Sequence, residues 1–143
     1  MTPNAIPRGE WEWFGKASHS ICGHDCRFHL ATKVGPWLVS TVGEYLPDSN
    51  VREILAETRG ITLKGKGDER RASWMQQVGY EEIGHGRMYE TMVFRAGAPC
   101  GGDCGCGVPT IDGTSLDFRG YNNAGDAPAG HMALCEAWAA KTL

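Results

Sequence analysis

Arg27-Phe28-His29-Leu30-Ala31-Thr32-Lys33-Val34-Gly35-Pro36-Trp37-Leu38-Val39-Ser40-Thr41-Val42-Gly43-Glu44-Tyr45 reads as two strands around a turn. In the first arm, Arg27 to Val34, the side chains of Phe28, Leu30, Thr32 and Val34 fall on one face, with the period of two that a strand requires. Gly35-Pro36 breaks the run. The second arm, Trp37 to Tyr45, is crowded with β-branched and aromatic side chains, which pack well on a pleated surface. A β-hairpin is therefore the first element, and the rest of the chain is read outward from it.

Downstream, Leu46-Pro47-Asp48 stops the strand. Ser49 or Asn50 is expected to cap a helix, with Glu53 completing a capping box behind Asn50. Val51, Ile54, Leu55 and Thr58 give its apolar stripe, and Gly60 gives its stop. Ile61-Thr62-Leu63 suggests a short strand and Lys64-Gly65-Lys66-Gly67 a loop. Asp68 then caps a second helix, with Ala72, Met75 and Gln76 or Val78 inward and Gly79 at its end. Met88 to Arg95 reads as a strand apolar enough on both faces to be central. Residues 97–127 hold many glycines and no clear period, so they read as one long loop that something must tie down. Pro128 to Lys141 reads as a last helix, with proline in its first turn.

Upstream, residues 1–17 form an arm whose Trp11, Trp13 and Phe14 are expected to rest on the body or to present an interface. The order of elements implies a single α+β domain over residues 1–143, with a mainly antiparallel sheet and about three helices. The glycine- and cysteine-rich loop would be tied by a metal.

Composition narrows the function. The formal net charge is −3, which gives no electrostatic footprint for a duplex nucleic acid partner. No apolar run approaches the ~20 residues of a membrane span, and the first residues carry no run of signal-peptide length. A cytoplasmic, reducing setting is the expectation. There, six cysteines with interleaved histidines read as metal ligands before disulfides.

Two clusters carry that reading. The downstream one joins Cys100, Cys104 and Cys106 to His131 and Cys135, which stack four apart on one helical face. A two-cysteine knuckle plus a pair from a helix is the pattern of a structural zinc site. Five candidates exceed four positions, and Cys100 is the expected spectator. The competing reading makes Cys135 a small buried hydrophobe and His131 a capping or surface residue. The upstream cluster is His19, Cys22 and Cys26, which share a face only in a helix or turn. Cys22 and Cys26 joining Cys104 and Cys106 is a third arrangement. One or two zinc ions are expected. Iron–sulfur spacing, the zinc deaminase pattern and His-Glu-x-x-His are all missing.

Two further places invite chemistry. Lys64 and Lys66, leading into a helix that carries Arg70 and Arg71, form a candidate site for a phosphate or nucleotide, although they lack Walker spacing. His85 is a candidate general base, Arg87 an anion clamp and Glu90 a helper. Solvated basic turns and strand glutamates account for the same residues without function.

The strings His19-Ser20-Ile21-Cys22-Gly23-His24-Asp25-Cys26-Arg27-Phe28-His29-Leu30, Leu38-Val39-Ser40-Thr41-Val42-Gly43-Glu44-Tyr45 and Tyr89-Glu90-Thr91-Met92-Val93-Phe94 are similar to a family of small proteins of unknown activity encoded by tailed bacteriophages. The likeness spans about residue 14 to the last helix and implies no catalytic residue. It implies an accessory, host-interaction or virion protein, placed in the host cytoplasm or the virion. The functional expectation is a zinc-stabilised protein that binds another protein. The alternative is a small zinc-dependent hydrolase or a phosphate- or nucleotide-handling enzyme.

Overall fold

The structure, a computed structural model, describes residues 5–14, 26–83, 86–102 and 105–141. Five antiparallel strands follow one another in space as in sequence: β1 (Glu12–Phe14), β2 (Cys26–Val34), β3 (Trp37–Tyr45), β4 (Tyr89–Pro99) and β5 (Pro109–Tyr121). Three helices accompany them: α1 (Ser49–Arg59), α2 (Asp68–Gln77) and α3 (Asp126–Ala139). The α+β expectation holds. No helix among the described residues is long and apolar enough to cross a membrane.

The hairpin forms as its sequence implies. Val34 pairs with Trp37 across a two-residue turn, and Gly35 takes φ +60°, which glycine adopts without a Cβ penalty. The β3 strand is buried from Trp37 to Gly43, so both its faces are covered and its near-continuous apolar run is explained. It pairs with β4 from Trp37–Arg95 to Gly43–Tyr89, which makes β4 central as expected.

One sheet face carries Val34, Trp37, Val39 and Val93, and α3 packs there with Leu134, Cys135, Trp138 and Ala139. The arm closes the end of this core. Trp11 is buried and its indole N–H donates to the Ile6 carbonyl, while the Ile6 amide donates to the Ala139 carbonyl. Trp13 stays exposed. At the start of α3, the Asn123 amide group donates to the Asp126 carboxylate, and its oxygen accepts from the Asp126 backbone N–H.

Gly130 lies within α3, where alanine ordinarily gains about 1 kcal/mol. Here a Cβ would collide with the ring and hydroxyl of Tyr121. Gly130→Ala is therefore expected to destabilise, by about 1–3 kcal/mol as overpacking does. A lower urea midpoint with an unchanged slope is the check, and a raised midpoint would show that Tyr121 yields freely.

Helices α1 and α2 build a second, smaller core. Trp74, Leu63 and Ala56 are buried there with Leu46, Leu55, Ile61, Met75 and Val78 around them. Arg70 ties the unit: its guanidinium donates to both Glu53 carboxylate oxygens and to the Leu63 and Gly65 carbonyls.

Several local expectations are corrected. Asp48, rather than Ser49 or Asn50, caps α1, its Oδ1 accepting from the Val51 amide at 3.0 Å. Gly60 ends that helix in the left-handed region as expected. The stripe was misplaced: Ile54 is 63% exposed and Val51 37%, while Ala56 is buried. In α2 Ser73 and Trp74 are buried and Met75 and Val78 pack against the core as expected, whereas Ala72 and Gln76 are exposed. Gly67, rather than Asp68, stands at its N-cap. Residues 61–63 are not a strand. The long loop over 97–127 contains β5, whose register explains why it escaped notice. Val93 faces Asp117 while Arg95 faces Asp112, so Gly113-Thr114-Ser115-Leu116 have only Phe94 opposite them. That bulge breaks the period of two.

Candidate functional site

The tip of the β4–β5 hairpin holds the described downstream cysteines. Pro99 pairs with Pro109, the Cys100 amide donates to the Val108 carbonyl at 2.8 Å, and the Gly105 amide donates to the Gly102 carbonyl at 3.3 Å. Gly105 and Gly107 take φ of 62° and 66°, which lets the backbone wrap tightly. Cys100 and Cys106 are both half-buried in this turn, and Cys104 lies outside the described residues.

His131 and Cys135 are not part of that turn, which corrects their grouping with Cys106. His131 is fully buried under α3, with Nε2 bonded to the Thr32 hydroxyl at 2.8 Å and Nδ1 to the Thr41 hydroxyl at 2.7 Å. Thr41 continues to Thr91 at 2.6 Å. Thr91 and Pro99 stand eight positions apart on β4, roughly 26 Å of strand. One ion cannot bridge that span. Burial lowers the His131 pKa to about 4, so the ring is neutral at pH 7 and has one donor and one acceptor nitrogen. The hydroxyls on either side satisfy both. Burial also pushes the Cys135 thiol up to about 11, against a smaller lowering by its bond to Thr32. A neutral thiol is neither a nucleophile nor a ready metal ligand. Among the described residues, no group of three or more His, Cys, Asp or Glu side chains could hold a metal ion.

At the upstream cluster, Cys26 is buried at the start of β2, opposite Tyr45. His19 and Cys22 lie outside the described residues, as does His85. The stem of Arg87 lies over Gly120, and its carbonyl accepts from the Ile83 amide. Glu90 stands in register between Val42 and Gly120. Arg70 is committed to Glu53, so it does not join Lys64 and Lys66 as an open anion site, which is a further correction. The Glu53 hydrogen bond raises the Arg70 pKa, and the same bond lowers that of Glu53.

Sequence reading did not pair Glu44 with Tyr89, which together form a partly buried acid–phenol pair. The Tyr89 hydroxyl donates to Glu44 Oε2 at 2.7 Å. Desolvation first, then this bond, push the Tyr89 pKa up to about 12. Glu44 holds φ 54°, unusual for a residue with a Cβ, and Gly43 has no room for one because Tyr89 presses on it. Phe28 meets the Tyr89 ring edge-on at 5.6 Å.

Two surfaces were also missed. The first is the β5 edge of the sheet, the outermost strand on that side among the described residues, where Leu116 is 48% and Phe118 51% exposed. Its sequence signal is the pair of large apolar residues two apart in an otherwise polar run. The second is a cleft whose lining includes Arg27, Arg52 and Arg71, which lie far apart in sequence, so no local motif marks it. No family model, curated protein or solved structure matches this chain.

Proposed function

We propose that this protein works by binding another protein, and that the partner adds an extended segment to the free edge of β5. The observation that carries this reading is the combination at one edge: β5 is the last strand of the sheet among the described residues, and it bears the half-exposed side chains of Leu116 and Phe118. Edge strands offer rows of N–H and C=O groups, and natural proteins usually cover or charge them. Strand addition uses those groups for affinity and the alternating side chains for selectivity. The Asp117 carboxylate accepts from the Phe118 amide at 2.8 Å and from the Trp138 indole at 3.0 Å, which braces this segment against α3. The phage-type accessory role implied by sequence likeness fits a partner in a bacterial host or a virion. Zinc belongs to the same reading at the hairpin tip, where Cys100, Cys104 and Cys106 would hold it. Its binding energy would become folding energy for the turn beside β5.

Affinity capture from a bacterial lysate tests the edge. Wild type and Ile54→Asp are expected to retain one partner in stoichiometric amount, and Leu116→Asp/Phe118→Asp is expected to lose it without a change in melting. Retention by the double variant would place the interface elsewhere. Loss in Ile54→Asp would move it to α1.

A further inference from the structure

We propose that the cleft between β2, α1 and α2 binds a phosphate dianion, either free or as a monoester. Arg27 enters it from β2, Arg52 from α1 and Arg71 from α2, and Tyr80 contributes from the segment after α2. Three arginines lining one cleft run against the composition of a chain with net charge −3.

The pairing of the arginines sharpens the point. Arg59 is matched with Glu81 and Arg70 with Glu53. Among the described residues, Arg27 and Arg71 make no ion pair, and both are exposed enough to swing toward a ligand. Arg52 is fixed from behind, because its Nη1 donates to the Pro47 carbonyl at 2.6 Å. Among the described residues its other N–H groups meet no acceptor. Among the described residues of the lining the one carboxylate is Asp48, and its Oδ1 is engaged at the start of α1, accepting from the Val51 amide. The positive end of the α1 dipole lies at the same place.

Planar guanidinium forks match the oxygens of a phosphate two at a time, which ammonium groups do not. The phenol of Tyr80 adds a neutral donor. The cleft volume is about 240 Å³, below the roughly 300–1,000 Å³ of clefts that enclose drug-sized ligands. That size suits a phosphate with a small attached group and is too small to enclose a dinucleotide. This site is separate from the β5 edge and stands or falls independently of it.

Calorimetric titration of the full chain with inorganic phosphate and with a nucleoside monophosphate, in a constant ionic strength set with potassium chloride, tests the proposal. Saturable one-to-one binding is expected. Arg71→Gln and Arg27→Gln should each weaken it by about tenfold or more. Arg71→Lys should weaken it too, because charge without the fork is insufficient. These side chains are exposed, so melting should stay unchanged, and Arg95→Gln, on the far side of the sheet ladder, should bind as wild type. Tighter binding of the nucleotide would assign a monoester, and equal binding would assign phosphate itself. Absence of saturable binding of either ligand would overturn the site. So would equal affinity in the Arg71→Gln and Arg27→Gln variants.

Discussion

Replacing His131 with alanine is expected to remove about 3–5 kcal/mol of stability, enough to leave a domain of ordinary stability largely unfolded. The ring is fully buried, so its loss leaves a cavity beneath α3. The Thr32 and Thr41 hydroxyls each lose a ring nitrogen at the same time, Thr32 keeping only its bond to the Cys135 thiol, and a buried unsatisfied hydroxyl costs about 1–3 kcal/mol. Thr41 keeps its bond to Thr91, which limits the damage there. A pH signature accompanies the change. The folded-state pKa is lowered to about 4 from an ordinary value of 6.5, so the unfolded chain binds the proton first. Stability from this group is complete above about pH 6.5 and is lost as pH falls toward 4. Between pH 7 and pH 5 the loss should be about 2 kcal/mol. Urea midpoints at the two pH values give the check. His131→Leu should show a much smaller drop over that interval, and an equal drop would assign the acid sensitivity to other groups.

Trp74→Ala is expected to cost a similar amount, about 3–5 kcal/mol, but locally. Trp74 is fully buried at the centre of the smaller core, and its indole N–H donates to the Gly79 carbonyl at 2.9 Å. The α1 helix has 11 residues and α2 has 10, below the ~12–15 at which an isolated helix becomes even marginal in water. Without the tryptophan, the exposed Arg70–Glu53 ion pair and the smaller apolar side chains around it are too weak to hold them. The sheet and α3 keep their own core around Trp11, Trp37 and Trp138. Helical circular dichroism should fall and trypsin should cut early at Lys64 or Lys66, while near-ultraviolet signals from the larger core persist. Cooperative loss of both cores in one transition would show that the two are a single folding unit.

The hairpin was legible because both arms and the turn agreed: β-branched residues, the period of two, and Gly35 where positive φ is needed. The last helix was legible from its composition and Pro128. The facing of α1 and α2 was not. Both helices are largely exposed, and the apolar period was satisfied by residues that face water, such as Ile54. Trp74, among Arg, Gln and Ser, was hidden by its neighbours. The β5 strand was hidden by its bulge and by an edge position that asks little hydrophobicity of it. His131 and Cys135 were correctly placed on one helical face, but the face was read as turned toward cysteines. The missing cue lay on the hairpin and β4. Thr32, Thr41 and Thr91 occupy inward positions where an aliphatic residue is usual, and buried hydroxyls require a polar partner from the element that covers them. The arginine cleft was illegible for a different reason: its members come from three elements and meet only in the folded chain.

The claim that β5 is a docking edge is tested most directly by amide hydrogen exchange along residues 117–121, in the free protein and in the captured complex. In the free protein the amides other than that of Phe118, which Asp117 Oδ1 holds, should alternate, slow where they point to β4 and fast where they point outward. The fast set should become slow in the complex. An identical alternating pattern in both states would mean that the partner sits elsewhere, and uniformly slow exchange in the free protein would mean that the edge is already covered.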